Sequence, residues 1–171
     1  SIDCNGSLPC KYILEYAFPG LGGITAVLIY ASALPAIAKI NSSQELGVFN
    51  PIPFSLQISS TLAWVLYGFL LKNYFLFFPN AIGMLLGVYY TISLIPVVSI
   101  RQREVILRFV LAGIACVFVG SLISFIGLEN LDQVQRKLPL GITSVAIQVV
   151  YFASPIGVIE SVIKVYSAIL I

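Results

Sequence analysis

Histidine is absent from this 171-residue chain, and charged side chains make up only 9% of it. Without histidine there is no imidazole base, no Ser/His/Asp or Cys/His pairing and no imidazole metal ligand. Metal-ligand spacing is also missing among the carboxylates and cysteines. A soluble domain carries about 25% charged residues, so the deficit excludes that class. No basic cluster interleaved with aromatics occurs, and the net charge of +2 gives no reason to expect nucleic acid as a partner. No cofactor motif is present, and no cluster of titratable groups lies inside the apolar runs, which argues against an enzyme.

What remains is apolar. Hydrophobic residues make up 59% of the chain and the mean hydropathy is +1.02, the composition of an integral membrane protein. Five helical spans can be read, about Tyr16 to Ile40, Ile52 to Leu71, Tyr74 to Ile100, Val105 to Leu128 and Leu140 to Val165. Each reaches the roughly 20 residues that cross a hydrocarbon core. The runs are continuously apolar rather than alternating, which disfavours a β-barrel.

Polar residues inside these spans are informative because hydrocarbon satisfies none of their groups. Asn80 follows Pro79 in a run without charge from Tyr74 to Ile100. Trp64 lies mid-span, too deep for an interfacial anchor. Gln57 and Gln148 are candidate cavity liners, whereas the hydroxyls of Ser59, Ser60 and Thr61 suit bonds to their own backbone. An interhelical hydrogen bond is the competing role for Asn80. Gly20, Gly22, Gly23, Gly83 and Gly87 are expected to permit close helix contact.

Arg101, Arg103 and Arg108 cluster against two span ends, and with Lys39 and Lys164 they place the N-terminus outside. Lys11, Lys72, Arg136 and Lys137 then fall on the outer side. Cys4 and Cys10 flank the sequon Asn5-Gly6-Ser7. A disulfide and a glycan at Asn5 would suit an oxidising outer compartment, and unpaired thiols with a chance sequon are the equal alternative. Cys116 reads as a small apolar side chain in a span. The first residue is Ser1, so a processed, truncated or fragmentary chain is expected.

Tyr30-Ala31-Ser32-Ala33 in the first span is echoed by Phe152-Ala153-Ser154-Pro155 in the fifth, each after an Ile-Thr-small-Val run. Such an echo suggests a parallel repeat. Phe49-Asn50-Pro51-Ile52-Pro53-Phe54, Trp64-Val65-Leu66-Tyr67-Gly68, Pro79-Asn80-Ala81-Ile82-Gly83, Tyr151-Phe152-Ala153-Ser154-Pro155 and Val162-Ile163-Lys164-Val165-Tyr166-Ser167 occur in order. Together these motifs resemble the SWEET sugar-transporter family, whose members are parallel-repeat proteins.

The resemblance implies an all-α, polytopic transmembrane fold. Residues 1–15 would be an outer N-terminal segment, 16–100 a three-helix bundle and 101–128 a linker helix. Residues 129–171 would form the first helix of a second, incomplete bundle, with the sixth and seventh helices of the family lacking. It also implies facilitated passage of mono- or disaccharides by alternating access, without cofactor, in a lipid bilayer. The plasma membrane is favoured over intracellular membranes. Asn80 would hydrogen-bond the sugar and Trp64 would flank it, while Pro35, Pro53 and Pro155 would act as hinges. Ala33 stands where the family has its first hinge proline, so the kink is expected to shift toward Pro35. One three-helix bundle encloses no pathway, so a homo- or hetero-oligomer is expected. Two alternatives stay open: a PQ-loop carrier of another small solute, and a truncated, non-transporting membrane protein that assembles with full-length transporters.

Overall fold

A computed structural model describes residues 11–47, 49–126 and 133–154, and all regular structure among them is helical. A π-helical turn, Ile13–Ala17, leads into α1 (Phe18–Ala31), followed by α2 (Leu34–Ser43) and α3 (Ile52–Leu71). Then come α4 (Tyr74–Leu94), α5 (Ile100–Phe125) and α6 (Gln133–Ala153). Among the described residues, four segments are long and apolar enough to cross a membrane: Ile13–Ser43, Ile52–Leu71, Tyr74–Leu94 and Ile100–Phe125. The chain is thus an all-helical integral membrane protein.

Local chemistry explains the helix ends. The first span breaks at Ser32–Ala33 because Pro35 has no N–H for the Ala31 carbonyl and crowds that turn. The turn before the break tightens, with Ser32 N–H and Ser32 Oγ both donating to the Ile29 carbonyl, at 3.2 and 2.7 Å. Between α3 and α4 only Lys72 and Asn73 intervene. Lys72 takes the left-handed conformation that ends a helix, at φ 55°, and Asn73 caps α4 by accepting from Leu76 N–H at 3.2 Å. Gly68 lets this hairpin close, since a Cβ there would stand 3.0 Å from Phe77 N.

Two spans differ from the sequence-based bounds. The third apolar run continues to Ile100, but α4 stops at Leu94, and Pro96 sits in the turn that follows. Ser99 then starts α5 with a capping box, accepting from Gln102 N–H at 3.3 Å while Gln102 Oε1 accepts from Ser99 N–H at 3.0 Å. Helix α5 therefore begins at Ile100 rather than Val105. Similarly, α6 begins at Gln133, before the expected Leu140, because Gln135, Arg136 and Lys137 are good helix formers. The helix is described to Ala153, and the rest of the expected span, to Val165, lies outside the described residues apart from Ser154.

Helix α4 packs between α1 and α3, and α3 in turn touches α5 and α6. An apolar core of Ile37, Ile40, Tyr90, Leu94, Val98 and Ile106 ties α2, the end of α4 and the start of α5 together. Phe54 joins it edge-on to Tyr90, ring centroids 5.1 Å apart. The buried face of α3 is of another kind. Ser55, Gln57, Ser59, Ser60 and Thr61 are all buried there, which makes α3 the polar spine of the bundle.

Candidate solute-binding site

Pro79 lies inside α4 without breaking it. Gly23 of α1 sits directly over the ring: a Cβ at Gly23 would stand 2.9 Å from Pro79 Cγ and 3.7 Å from the Phe75 carbonyl that the proline leaves without a helical donor. The Asn80 side chain folds back along the helix, Nδ2 donating to the Leu76 carbonyl at 2.8 Å. That carbonyl only accepts, so the amide orientation is fixed and Oδ1 faces away from it. Oδ1 accepts from the Tyr30 hydroxyl of α1 at 3.1 Å. Asn80 is buried at 7% exposure, with one N–H and one Oδ1 lone pair uncommitted among the described residues.

Tyr30 is not among the site residues expected from sequence, although a hydroxyl at that depth needs a partner. Its ring lies on Gly83, one turn past Asn80, where a Cβ would come within 2.6 Å of Tyr30 Cδ2 and Cε2. Its backbone carbonyl, just before the break in the first span, accepts from the Tyr90 hydroxyl at 2.8 Å.

A second amide centre lies between α3 and α6. Trp64 Nε1–H donates to Gln148 Oε1 at 3.1 Å, and the Ser60 hydroxyl donates to the same oxygen. An indole N–H can only donate, so the oxygen of Gln148 must face Trp64 and its NH2 group points elsewhere. Trp64 also borders a groove of about 440 Å³ with Tyr67, Leu138, Gly141 and Val145, and its ring meets Tyr67 edge-on at 5.9 Å. Gln57 is enclosed at 2% exposure, and its Nε2 donates to the Gly83 carbonyl at 2.9 Å. It thereby ties α3 to α4 at the glycine that carries the Tyr30 ring.

The expected residues thus fall into two centres: Asn80 with Tyr30 and, through Gly83, Gln57; and Trp64 with Gln148. No hydrogen bond links Asn80 to Trp64 among the described residues. Every group in both centres is an amide, hydroxyl or indole, so the lining offers donors and acceptors but no formal charge. Among the described residues no three His, Cys, Asp or Glu side chains gather as a metal site.

The prolines expected to act as hinges have different placements. Pro35 occupies the first turn of α2, directly after the break. Pro53 occupies the first turn of α3, where a missing N–H removes no intrahelical bond. Pro155, Asn5, Cys4 and Cys10 lie outside the described residues. Of the glycines expected to pack, Gly22 has nothing within 4 Å, and the contacts are made by Gly20, Gly23, Gly83 and Gly87.

A family model described as "Sugar efflux transporter for intercellular exchange" matches residues 17–100, the first three spans. The bidirectional sugar transporter SWEET2a of Sorghum bicolor is 29% identical over 160 residues, covering 92% of this chain and 65% of that protein. Over its first three spans this chain is thus similar to the SWEET family. The sugar transporter SWEET1 of Dictyostelium discoideum is 26% identical over 140 residues, 81% of this chain and 63% of that one. The chain therefore spans less than two thirds of the length of these relatives. A solved structure of a eukaryotic SWEET transporter superimposes with a TM-score of 0.71 at 21% identity, covering 90% of this chain and 73% of the other. The two share a fold. The named relatives are transporters, not enzymes.

Proposed function

We propose that the chain mediates facilitated, uniport-type passage of mono- or disaccharides across a membrane by alternating access. The observation that carries this reading is a pair of amides, Asn80 and Gln148, each locked in one orientation by neutral partners. A sugar presents hydroxyl edges and flatter C–H faces. Locked amides suit the edges, and the Trp64 ring suits a face. With no formal charge in either centre, an uncharged solute is favoured over an amino acid, whose termini would need counter-ions. The names of the SWEET relatives support the same substrate class.

In this reading Asn80 and Gln148 hydrogen-bond the sugar, Trp64 flanks it, and Gln57 holds α3 against α4 beside it. Pro35, Pro53 and Pro155 let the spans pivot. The N-terminus is outside and the plasma membrane is the site of action. A second three-helix bundle faces this one across the pathway, and the active unit is an oligomer where that bundle comes from another subunit. Asn80→Ala is expected to abolish labelled sugar uptake in a transport-deficient cell while surface expression stays at the parental level. Unchanged uptake would refute the assignment.

A further inference from the structure

We propose that Tyr30 is a positioning residue of the Asn80 centre and the coupling element between that centre and the bend in the first span. The proposal rests on the sugar-site reading above and extends it to a residue outside the expected set.

Three contacts converge on Tyr30, and all come from α4. Its hydroxyl donates to Asn80 Oδ1 at 3.1 Å, its ring lies on Gly83, and its carbonyl accepts from Tyr90 at 2.8 Å. The hydroxyl bond decides what Asn80 can offer a solute. With Nδ2 committed to the Leu76 carbonyl and Oδ1 to Tyr30, the amide cannot rotate to exchange donor for acceptor. Without the Tyr30 hydroxyl, Oδ1 loses its donor and the side chain is held at one end only, so it must be ordered again each time a solute binds.

The carbonyl bond serves the bend. Tyr30 is the penultimate residue of α1, and α2 resumes only at Leu34. A pivot between these half-helices turns about a residue whose main chain and side chain are both fastened to α4. Movement of α1 relative to α4 therefore cannot occur without disturbing the oxygen of Asn80. Occupancy of the site and the angle of the first span become linked through one side chain.

The two bonds can be cut separately. Tyr30→Phe removes the hydroxyl and keeps the ring on Gly83 and the Tyr90 bond. Tyr90→Phe removes the brace on the carbonyl and keeps the bond to Asn80. Uptake of labelled sugar is measured over a concentration series in the same transport-deficient cell, at matched surface expression. Tyr30→Phe is expected to raise the half-saturation concentration about threefold to tenfold, the loss of one neutral hydrogen bond, with maximal rate retained. Tyr90→Phe is expected to leave half-saturation within about twofold and to alter maximal rate instead. Half-saturation unchanged in Tyr30→Phe, or shifted equally in both variants, would overturn the proposal, because packing alone then explains Tyr30.

A second measurement does not depend on transport. Melting midpoints of the purified full chain are compared for Tyr30→Phe, Asn80→Ala and the double variant. A double variant that loses clearly less than the sum of the singles supports the coupling, and strict additivity overturns it. If the parental chain takes up no sugar, the transport reading fails, and this cycle alone decides the role of Tyr30.

Discussion

Gly83→Ala adds a single methyl group at the most constrained contact around Asn80. The new Cβ would stand 2.6 Å from Tyr30 Cδ2 and Cε2 and 3.0 Å from Cζ. Carbon atoms rest at about 3.5–4.0 Å, so the ring must retreat by about 1 Å. It has little freedom to do so, because the Tyr90 bond holds its backbone at 2.8 Å and the Asn80 bond holds its tip at 3.1 Å. A retreat of that size carries the hydroxyl out of hydrogen-bond range, a loss of ~1 kcal/mol. Overpacking adds ~1–3 kcal/mol, and the better helix propensity of alanine returns ~0.8–1.0 kcal/mol. The net is a destabilisation of ~1–3 kcal/mol. Gly22→Ala is the matched control, since nothing lies within 4 Å of a Cβ there. Only the propensity gain then operates, giving up to ~1 kcal/mol of stabilisation. Denaturant unfolding in detergent micelles, followed by circular dichroism, compares the two. Equal or greater stability of Gly83→Ala than of Gly22→Ala would refute the Tyr30–Gly83 contact as described.

Two further outcomes are expected. Gln148→Leu removes the shared acceptor of Trp64 and Ser60 and should cost about 1–3 kcal/mol through the stranded donors. Trp64 is the single tryptophan of the chain, so its emission maximum should shift in this variant, and an unshifted spectrum would count against the bond. Uptake by the parental chain is expected to stay flat between about pH 5.5 and 7.5, because the chain has no histidine and both polar centres are built of amides, hydroxyls and an indole. A steep rise toward acid pH would point to a proton-coupled carrier instead.

The spans are legible in the sequence because long uncharged runs have few other uses, and Ile52–Leu71 matches to the residue. Their ends are less so. The apolar run from Tyr74 to Ile100 hides a turn, since Ile95, Val97 and Val98 look the same to a hydropathy reading whether helical or not. The stop is written in Pro96 and in the Ser99–Gln102 capping box, signals that hydropathy does not weigh. Asn80 and Trp64 stand out as single polar or bulky residues in apolar surroundings. Gln148 stands out as well, but Tyr30 and the pairings do not, because Tyr30 reaches Asn80 across fifty residues of sequence and Gln148 reaches Trp64 across eighty-four. Nothing in a tyrosine of the first span announces which helix its hydroxyl will meet. A glycine in an apolar helix is equally mute, and Gly83 becomes informative only once the ring that rests on it is known.

The polar spine of α3 bears on how the protein is made as well as on what it holds. Half of its apolar window is buried, against 6% for the first span, and it is the least apolar of the four candidate spans. A helix carrying Ser55, Gln57, Ser59, Ser60 and Thr61 among its buried residues partitions poorly from the translocon into bare lipid. Helix α4 follows after only two residues and brings the Gly83 carbonyl to Gln57. The pair is therefore suited to leave the insertion machinery together as a hairpin, with the later α5 and α6 closing over the remaining hydroxyls. Sites of the kind that receive a solute are, during synthesis, the places where the nascent chain most needs its own next helix.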